Sequence, residues 1–318
     1  MHPTTLLLIV VAAGACASMA CGDGAANTPA AQFWEQVLPD TPMPQAIADL
    51  VQKGIDHSPL GEQHSAPSRN SLSACALFDA VCSSQMVAKT GVFFLMEQIR
   101  PGSTMTLFFP SEVDSPPILP HDVAEKAPFA NLDGVLSTFN IPAGSAAAAR
   151  VRDTLSRCQA PPLAGEVKAC ATSLEATVQA ALRMLGGTDD DRRVVLAAAS
   201  EIPLSGLPRQ PYVIEKVSQV DGEQYVSCHR VPFPYAVYQC HTALMKAYGA
   251  YQVSLRGLAG ASPAVEMLAF CHLDTSGWNP AHPAFEVLQT RPGDTPVCHF
   301  VTYGNLAFVK KKASWALA

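Results

Sequence analysis

The sequence carries little charge and no long apolar run, and each absence excludes a class of protein. Charged residues make up only 15% of the chain, and the formal net charge is -6 at pH 7. Because no basic stripe offsets this negative charge, a nucleic-acid partner is not expected. No segment reaches the about 18 consecutive apolar residues that a membrane-spanning helix needs, so no membrane span is expected. Apolar residues still make up 48% of the chain, which is enough for a sizeable core.

Several familiar site motifs are missing as well. The chain has no nucleophile elbow of a Ser-His-Asp hydrolase, no phosphate-binding P-loop and no dinucleotide fingerprint. Beyond the first 21 residues it has no C-x2–4-C pair, so a zinc finger of the usual spacing is not expected. Catalytic residues are therefore not indicated by any of these motifs.

The start of the chain predicts where the protein is located. Residues 1–20 contain an apolar run over residues 6–13 that is followed by small residues, a pattern typical of a secretory signal peptide. We therefore expect a secreted, extracellular protein. Residues 21–90 are rich in small, polar and turn-forming residues, which predicts a flexible region. One short helix is expected there over residues 46–53, ended by Gly54.

The remaining chain predicts an α+β fold. Residues 91–311 are expected to form one domain, and residues 312–318 a tail. Ser145 is predicted to cap one helix, and Thr172 with Glu175 forms a capping-box pattern before another. Two strands are predicted around an early Pro-Gly turn, and the second half of the domain has mostly strand character. We expect a largely antiparallel β-sheet domain with one or two packed helices and with disulfide bonds.

Four cysteines are each followed directly by a histidine, and this pairing is the strongest signal in the sequence. If ten cysteines and nine histidines were scattered at random over this length, roughly 0.3 such dipeptides would be expected. Each pair lies in a segment with strand character, where adjacent side chains point to opposite faces of a sheet. We therefore predict that the cysteines form cross-links on one face and the histidines gather on the other. The pairs are Cys228-His229, Cys240-His241, Cys271-His272 and Cys298-His299.

Two interpretations of these pairs stay open. In the first, the four cysteines form two structural disulfides, with three possible connectivities, and the histidines only pack beside them. In the second, His229, His241, His272 and His299 converge on a metal ion. A site made of imidazoles in an oxidising compartment suits copper, with zinc as the alternative. His282 is expected to be a surface histidine, with a fifth ligand or the neighbour of a ligand as the alternative.

Other cysteines are expected to be structural. Cys158 and Cys170 flank a short segment and are predicted to bridge, a loop closure worth about 3 kcal/mol in the chain-entropy model. Cys75 and Cys82 are expected to do the same in the N-terminal region. Glu166, which lies between the first two of these cysteines, is interpreted as a member of an ion pair rather than as a catalytic acid.

The spacing of the four pairs resembles the signature of the plant BURP-domain family. Ten, twenty-nine and twenty-five residues separate successive pairs, the second gap being somewhat longer than is usual in that family. Three further blocks are similar to family motifs: "FFLMEQIRPGSTMTLFFP", "GEVKACATSLEATV" and "WNPAHPAF". Upstream, "FWEQVLPDTPMPQAIADL" resembles the segment that follows the signal peptide in the family. The resemblance extends from Phe33 to about Lys311.

The resemblance implies a secreted or wall-associated plant protein. The family includes the non-catalytic β-subunit of a polygalacturonase, and some members are copper-dependent peptide cyclases whose Cys-His histidines are implicated in copper binding. Carried over to this chain, the candidate ligands are His229, His241, His272 and His299. We expect a structural or binding role with partners in the cell wall or extracellular matrix, in development (anther, seed) or in the stress response.

The alternative is a copper-dependent oxidative cyclase that cross-links a tyrosine or tryptophan of a separate peptide substrate. A cyclase that acts on its own N-terminal region needs an oxidisable aromatic residue there. The first tyrosine of the chain is Tyr212, and the only tryptophan of residues 21–90 is Trp34. Trp315 in the tail is the other candidate. Self-cyclisation is therefore less expected than action on a separate peptide, and an enzyme is less expected than a binding protein.

Overall fold

The computed structural model of the protein describes residues 28–57, 60, 84–162, 165–186, 195–243, 248–260 and 263–311. The predicted signal peptide, the expected Cys75–Cys82 bridge and the C-terminal tail lie outside these residues. Among the residues that are described, no helix combines the length and the apolar character needed to cross a membrane.

Most helices of the described residues lie before residue 185, and most strands lie in the second half of the chain. The α-helices are α1 Pro29–Val37, α2 Gln45–Asp56, α3 Ser84–Thr90, α4 His121–Ala124, α5 Leu132–Thr138, α6 Ala146–Gln159, α7 Leu174–Met184 and α8 Pro283–Leu288. The strands are β1 Phe93–Leu95, β2 Thr104–Phe109, β3 Glu166–Ala171, β4 Val195–Ala198, β5 Leu207–Gln219, β6 Gln224–Val231, β7 Val237–Ala243, β8 Tyr248–Gly257, β9 Ala264–His272, β10 Val297–Phe300 and β11 Leu306–Lys310.

The strands form two antiparallel sheets. Sheet A has six strands in the order β1-β10-β9-β8-β5-β2, and sheet B has five in the order β3-β7-β6-β11-β4. Together with the helices and three disulfides, this confirms the predicted disulfide-bonded α+β fold with largely antiparallel sheets. The helices outnumber the one or two predicted, because several span only four to seven residues and carry too little periodicity to be recognised.

The two strands predicted around the early Pro-Gly turn are present but are not neighbours. Strand β1 pairs with β10 and strand β2 pairs with β5, so they lie at opposite edges of sheet A. The turn between them is held on β5, since the Gly102 N–H donates to the Ile214 carbonyl at 2.7 Å. Gly102 has a φ of +88°, which glycine adopts without strain. Strand pairing is decided by burial against the rest of the sheet rather than by proximity along the chain.

The two sheets pack face to face with helices on their outer sides. Helices α1, α2 and α7 cover the outer face of sheet B, and residues of α3 and α8 join the core on the outer face of sheet A. A smaller cluster lies between the sheets, and we call this region the inner layer. Its buried apolar residues are Ala250, Leu268, Phe270, Val301 and Ala307. The described residues therefore form two large outer cores, one narrow inner core, and a further core in which helices α4, α5 and α6 pack against residues 231–237.

Both predicted helices of the domain are found with serine caps. The Ser145 Oγ accepts from the Ala148 N–H at 3.1 Å at the start of α6. At α7 the cap is Ser173, whose Oγ accepts from the Ala176 N–H at 3.1 Å, and not Thr172 as predicted. Ser173 has an extended backbone, which is the conformation of an N-cap residue.

The described residues of the N-terminal region contain three helices, α1, α2 and α3, where one short helix was predicted. Trp34 of α1 is 2% exposed, and its Nε1–H donates to the Thr41 carbonyl at 2.8 Å. Helix α2 continues past Gly54, where the predicted helix ended. A Cβ atom at Gly54 would lie 1.8 Å from the Ile118 carbonyl oxygen, so this glycine permits close packing instead of ending the helix.

Candidate metal centre

The four Cys-His cysteines form two disulfides between neighbouring strands. Cys228 on β6 lies opposite Cys240 on β7, and Cys271 on β9 lies opposite Cys298 on β10. Each pair is bonded, with Cα atoms 3.9 Å apart. All four cysteines belong to the two outer cores. Of the three connectivities that the sequence left open, the structure has the one that joins directly opposed residues.

A third disulfide connects an edge strand to a helix. Cys158 near the end of α6 is bonded to Cys170 on β3, with Cα atoms 5.6 Å apart. Among the described strands, β3 pairs only with β7, which carries His241. The disulfide therefore ties down the strand that lies next to one of the candidate ligands.

The four histidines lie on the opposite face of the same strands, in the inner layer. His229 and His241 come from sheet B, and His272 and His299 come from sheet A. The ring centroids are 5.3 Å apart for His229 and His241, and 5.4 Å apart for His272 and His299. Across the sheets they are 5.5 Å apart for His229 and His299, and 6.5 Å apart for His241 and His272. The four imidazoles thus form a closed ring of neighbours, which we call the histidine cluster.

Burial keeps most of the cluster uncharged. His229, His272 and His299 are 4%, 6% and 3% exposed, whereas His241 is partly exposed. Burial, and next the neighbouring His241, hold the pKa of His229 well below its usual range. Burial, and next the neighbouring His299, do the same for the pKa of His272. Burial lowers the pKa of His299 to about 4 against a small opposing effect of its hydrogen bond to the Phe300 carbonyl. Neutral imidazole is the form that binds metal ions.

The ring nitrogens of the cluster are arranged in a way that suits a nitrogen-ligated ion. The Nε2 atoms of His272 and His299 are 3.3 Å apart. Two nitrogens bound at about 2.0–2.1 Å to a tetrahedral ion also lie about 3.3 Å apart. The Nδ1 of His229 is buried and has no hydrogen-bond partner among the described residues, while its Nε2 lies 3.0 Å from the Ser227 Oγ. The residues therefore fit a metal that prefers imidazole ligands.

The side chains do not yet form a complete coordination sphere as they stand. Within the part of the chain that the structure describes, no group of three or more His, Cys, Asp or Glu side chains is positioned to hold a metal ion. Among the described histidines, the pair of His272 and His299 has its nitrogens at a ligand-to-ligand distance. Binding by three or four of the histidines therefore requires their side chains to come closer together than they lie here.

Aromatic and acidic side chains border the cluster. Tyr248 and Trp278 both pack edge-on against His272, each with ring centroids 4.6 Å away. The Tyr248 hydroxyl lies 3.4 Å from the Nδ1 of His241, and the Glu166 Oε1 lies 3.1 Å from the same nitrogen. Burial, together with the charge of Glu166, raises the pKa of Tyr248. Sequence reasoning identified Glu166 as a charged partner but missed Tyr248, because no motif distinguishes it from other tyrosines of a strand.

His282 is a buried helix cap and not the surface histidine that was expected. It is 9% exposed, and its Nδ1 accepts from the Ala284 N–H at 3.1 Å at the start of α8. Its ring packs on Trp278, with centroids 4.7 Å apart, and burial lowers its pKa to about 3. A neutral imidazole that accepts at Nδ1 carries its proton on Nε2. Neither nitrogen of His282 is therefore available as a ligand in this arrangement.

Comparisons with known proteins identify the domain that carries the cluster. The family model of the BURP domain matches residues 92–310. The chain is 39% identical to BURP domain-containing protein 13 of rice (Oryza sativa subsp. japonica) over 81% of its length and 62% of the rice protein. It is 41% identical to Protein RAFTIN 1A of wheat (Triticum aestivum) over 70% of its length and 56% of the wheat protein. The chain thus spans little more than half the length of these two relatives. With BURP domain-containing protein 5 of rice, it is 36% identical over 88% of its length and 86% of the relative.

Proposed function

The chain belongs to the plant BURP-domain family, and on that premise we propose that it is a secreted protein of the extracellular space or cell wall that binds copper through His229, His241, His272 and His299. We propose that its role there is structural or binding, with a component of the wall or the extracellular matrix as its partner. Development of anther or seed and the response to stress are the settings that the family resemblance favours.

One observation carries the copper proposal, namely the meeting of four imidazoles from two sheets in one buried cluster. Burying an imidazole in an apolar layer costs stability unless it has a partner, and one nitrogen of His229 has none among the described residues. An ion bound there would satisfy this nitrogen. All four neighbouring cysteines are bonded in disulfides, so the cluster offers imidazole ligands without thiolates. Such a set suits copper, with zinc as the alternative.

The disulfides support the proposal of secretion. Cys158–Cys170, Cys228–Cys240 and Cys271–Cys298 are all formed in the structure. Structural disulfides persist in oxidising compartments and are rare in the cytosol. This agrees with the apolar run of residues 6–13, which is typical of a signal peptide.

Native mass spectrometry of the secreted protein, supplied with Cu(II), tests the copper proposal. We expect the wild type to hold copper, and a variant with all four cluster histidines changed to Ala to lose it. Because four such changes threaten the fold, the double variant His272→Asn/His299→Asn provides a milder test. His57→Asn, at an exposed position after α2, is the matched control and retains the metal. If the wild type holds no copper, the histidines are packing partners of two disulfides and the proposal fails.

A second candidate function is the copper-dependent oxidative cross-linking of a tyrosine or tryptophan in a separate peptide. It is favoured by the packing of Tyr248 and Trp278 against His272, because an aromatic ring at this edge lies in contact with a candidate ligand. Copper, when bound, would supply one-electron oxidation chemistry at that edge. Trp34 is no substrate within the folded chain, since it is 2% exposed in the core of sheet B.

Copper-loaded protein incubated with dioxygen and a panel of peptides tests this second function. Each cross-link removes two hydrogen atoms from the peptide, and dioxygen accepts the two electrons and two protons. We expect a loss of two hydrogens from peptides that contain Tyr or Trp and none from matched peptides with Phe. Failure across a broad panel, with copper loading verified, would leave binding as the function of the cluster.

A further inference from the structure

Glu166 and Tyr248 compete for the same nitrogen of His241. The Glu166 Oε1 lies 3.1 Å from the His241 Nδ1, and the Tyr248 hydroxyl lies 3.4 Å from it. A carboxylate only accepts hydrogen bonds, so it requires a proton on Nδ1. A phenol hydroxyl can instead donate to an unprotonated Nδ1. Glu166 is therefore satisfied only by the Nδ1–H tautomer, whereas the Tyr248 hydroxyl, which both accepts and donates, is compatible with either tautomer and stabilises the Nε2–H tautomer when it donates.

The tautomer decides whether His241 can bind a metal. With the proton on Nδ1, the Nε2 atom has a free electron pair and can act as a ligand. With the proton on Nε2, the only free electron pair is on Nδ1, which Glu166 and Tyr248 occupy. A hydrogen bond to a carboxylate is charge-assisted and stronger than one from a neutral hydroxyl, and here it is also the shorter of the two. The Nδ1–H tautomer, which Glu166 requires, is therefore the favoured form of His241.

The strand geometry explains why Glu166 reaches His241. On paired strands β3 and β7, Lys168 lies opposite His241, so Glu166 is a diagonal neighbour of His241 on the same face. The Cys158–Cys170 disulfide ties the same strand to α6. The side chains of Glu166 and His241 are only 19% and 14% exposed, which limits the screening of their interaction by solvent.

We propose that Glu166 is a positioning residue that selects, against Tyr248, the tautomer of His241 whose Nε2 is free to bind a metal ion. This inference rests on the proposed copper site and adds a dependence on a residue outside the Cys-His pairs. It also gives Tyr248 a defined effect, because this residue becomes the dominant neighbour of Nδ1 once the carboxylate is removed. A carboxylate that holds a ligating histidine in this way typically contributes 10- to 100-fold to metal affinity.

The test combines two measurements on the secreted full chain. Nitrogen-15 NMR of the chelator-treated protein reports the tautomer of His241 without any metal. Competition with a chelator for Cu(II) reports the affinity of the metal site. The variants are Glu166→Ala, Glu166→Gln, Tyr248→Phe and the double variant Glu166→Ala/Tyr248→Phe. Glu97→Gln, at an exposed position of the turn after β1, is the control.

We expect Glu166→Ala to move the His241 proton to Nε2 and to lower Cu(II) affinity about 10- to 100-fold. Glu166→Gln keeps an oxygen acceptor but loses the charge, so part of the tautomer preference and part of the affinity are retained. Tyr248→Phe leaves both unchanged when Glu166 is present. The double variant regains part of the affinity that Glu166→Ala loses, because no donor then holds the proton on Nε2.

Two outcomes would overturn the inference, and they differ from each other. If the wild type binds Cu(II) and Glu166→Ala changes neither the tautomer nor the affinity, Glu166 is no positioning residue, while the copper site stands. If the wild type binds no Cu(II), the copper site itself fails, and the role of Glu166 in it fails as well.

Discussion

The two faces of the four Cys-His strands have opposite character. The outer faces bear the cystines, and each lies in a core that more than a dozen buried apolar residues share. The inner layer has five buried apolar residues together with the four histidines. Adjacent residues of one dipeptide therefore belong to different environments. The comparison teaches that the two-residue period of a strand lets one sequence motif contribute to stability on one face and to a site on the other.

The inner layer contributes less to the stability of the fold than the two outer cores do. The pKa values of three buried imidazoles are lowered in the folded protein. Protonating these imidazoles therefore costs more free energy in the folded state than in the unfolded chain. The two outer cores and their cystines offset this cost by burying large apolar side chains and by restricting the unfolded chain. Variants of the two faces should therefore differ in whether they affect stability alone or stability and metal binding together.

The largest effect is expected from matched phenylalanines of the two faces. Phe300 lies in the outer core of sheet A and Phe270 in the inner layer, and both are 1% exposed. Replacing either with Ala should lower the free energy of unfolding by about 3 to 5 kcal/mol. Only Phe270→Ala should also weaken Cu(II) binding, because its ring packs against His299. Urea unfolding and chelator competition measure the two effects, and equal losses of affinity in both variants would contradict the separation of the faces.

The next largest effect is expected from the cystines of the outer faces, where removing each one should lower the free energy of unfolding by about 3 kcal/mol. In the chain-entropy model, removing Cys228–Cys240, with a sequence separation of 12, costs about 3 kcal/mol. Removing Cys271–Cys298, with a separation of 27, costs about 3.5 kcal/mol. Each pair is changed to Ala together, so that no free thiol remains. Equilibrium unfolding should place the two double variants in this order, and the reverse order would show that packing outweighs loop closure here.

Acidification should lower the free energy of unfolding by about as much as the removal of one cystine, through the histidines of the inner layer. The pKa of His299 is about 4 in the folded protein and about 6.5 in the unfolded chain, so the unfolded state takes up the proton first. The neutral His299 imidazole makes its full contribution to the free energy of unfolding above about pH 6.5. This contribution, about 3 kcal/mol, is lost as the pH falls to about 4. Unfolding of the chelator-treated protein at a series of pH values measures it. His299→Asn keeps a donor for the Phe300 carbonyl and should show a flatter profile; an unchanged profile would contradict the assignment.

The smallest effect is expected at Ser227. Its Oγ lies 3.0 Å from the Nε2 of His229 in the inner layer. Ser227→Ala should cost about 1 kcal/mol, the usual net contribution of one hydrogen bond. Ser137→Ala, at an exposed position of α5, is the control and should change stability by less than about 0.5 kcal/mol. Equal changes in denaturant midpoint for the two variants would show that His229 gains nothing from this contact.

Local patterns predicted the elements better than their arrangement. The helix capped by Ser145 and the strands around the Pro-Gly turn follow from residue preferences within a few positions. The placement of β1 and β2 at opposite edges of sheet A depends on pairing with strands that are distant along the chain, Phe93 with His299 and Phe109 with Leu207, which no local pattern encodes. The packing of Trp34 was missed for a similar reason, since the core that it joins includes helix α7, about 140 residues further along the chain.

The candidate site was predicted in its members but not in its surroundings. Strand alternation placed His229, His241, His272 and His299 on the face opposite the cysteines, as the structure has them. It could not show that the histidine faces of two different sheets meet each other. Nor could it place Tyr248 against the cluster, because that contact depends on the register between strands and on the packing of the sheets.

What the sequence by itself determined is the family, the α+β class and the separation of cysteine from histidine, because each of these depends on residue identity and on a period of two along a strand. What only the tertiary structure decided is which cysteine bonds to which, that four histidines form one cluster, and that Glu166 and Tyr248 share one nitrogen of His241. These depend on register and on the packing of two sheets, which are set by the burial of all strands together.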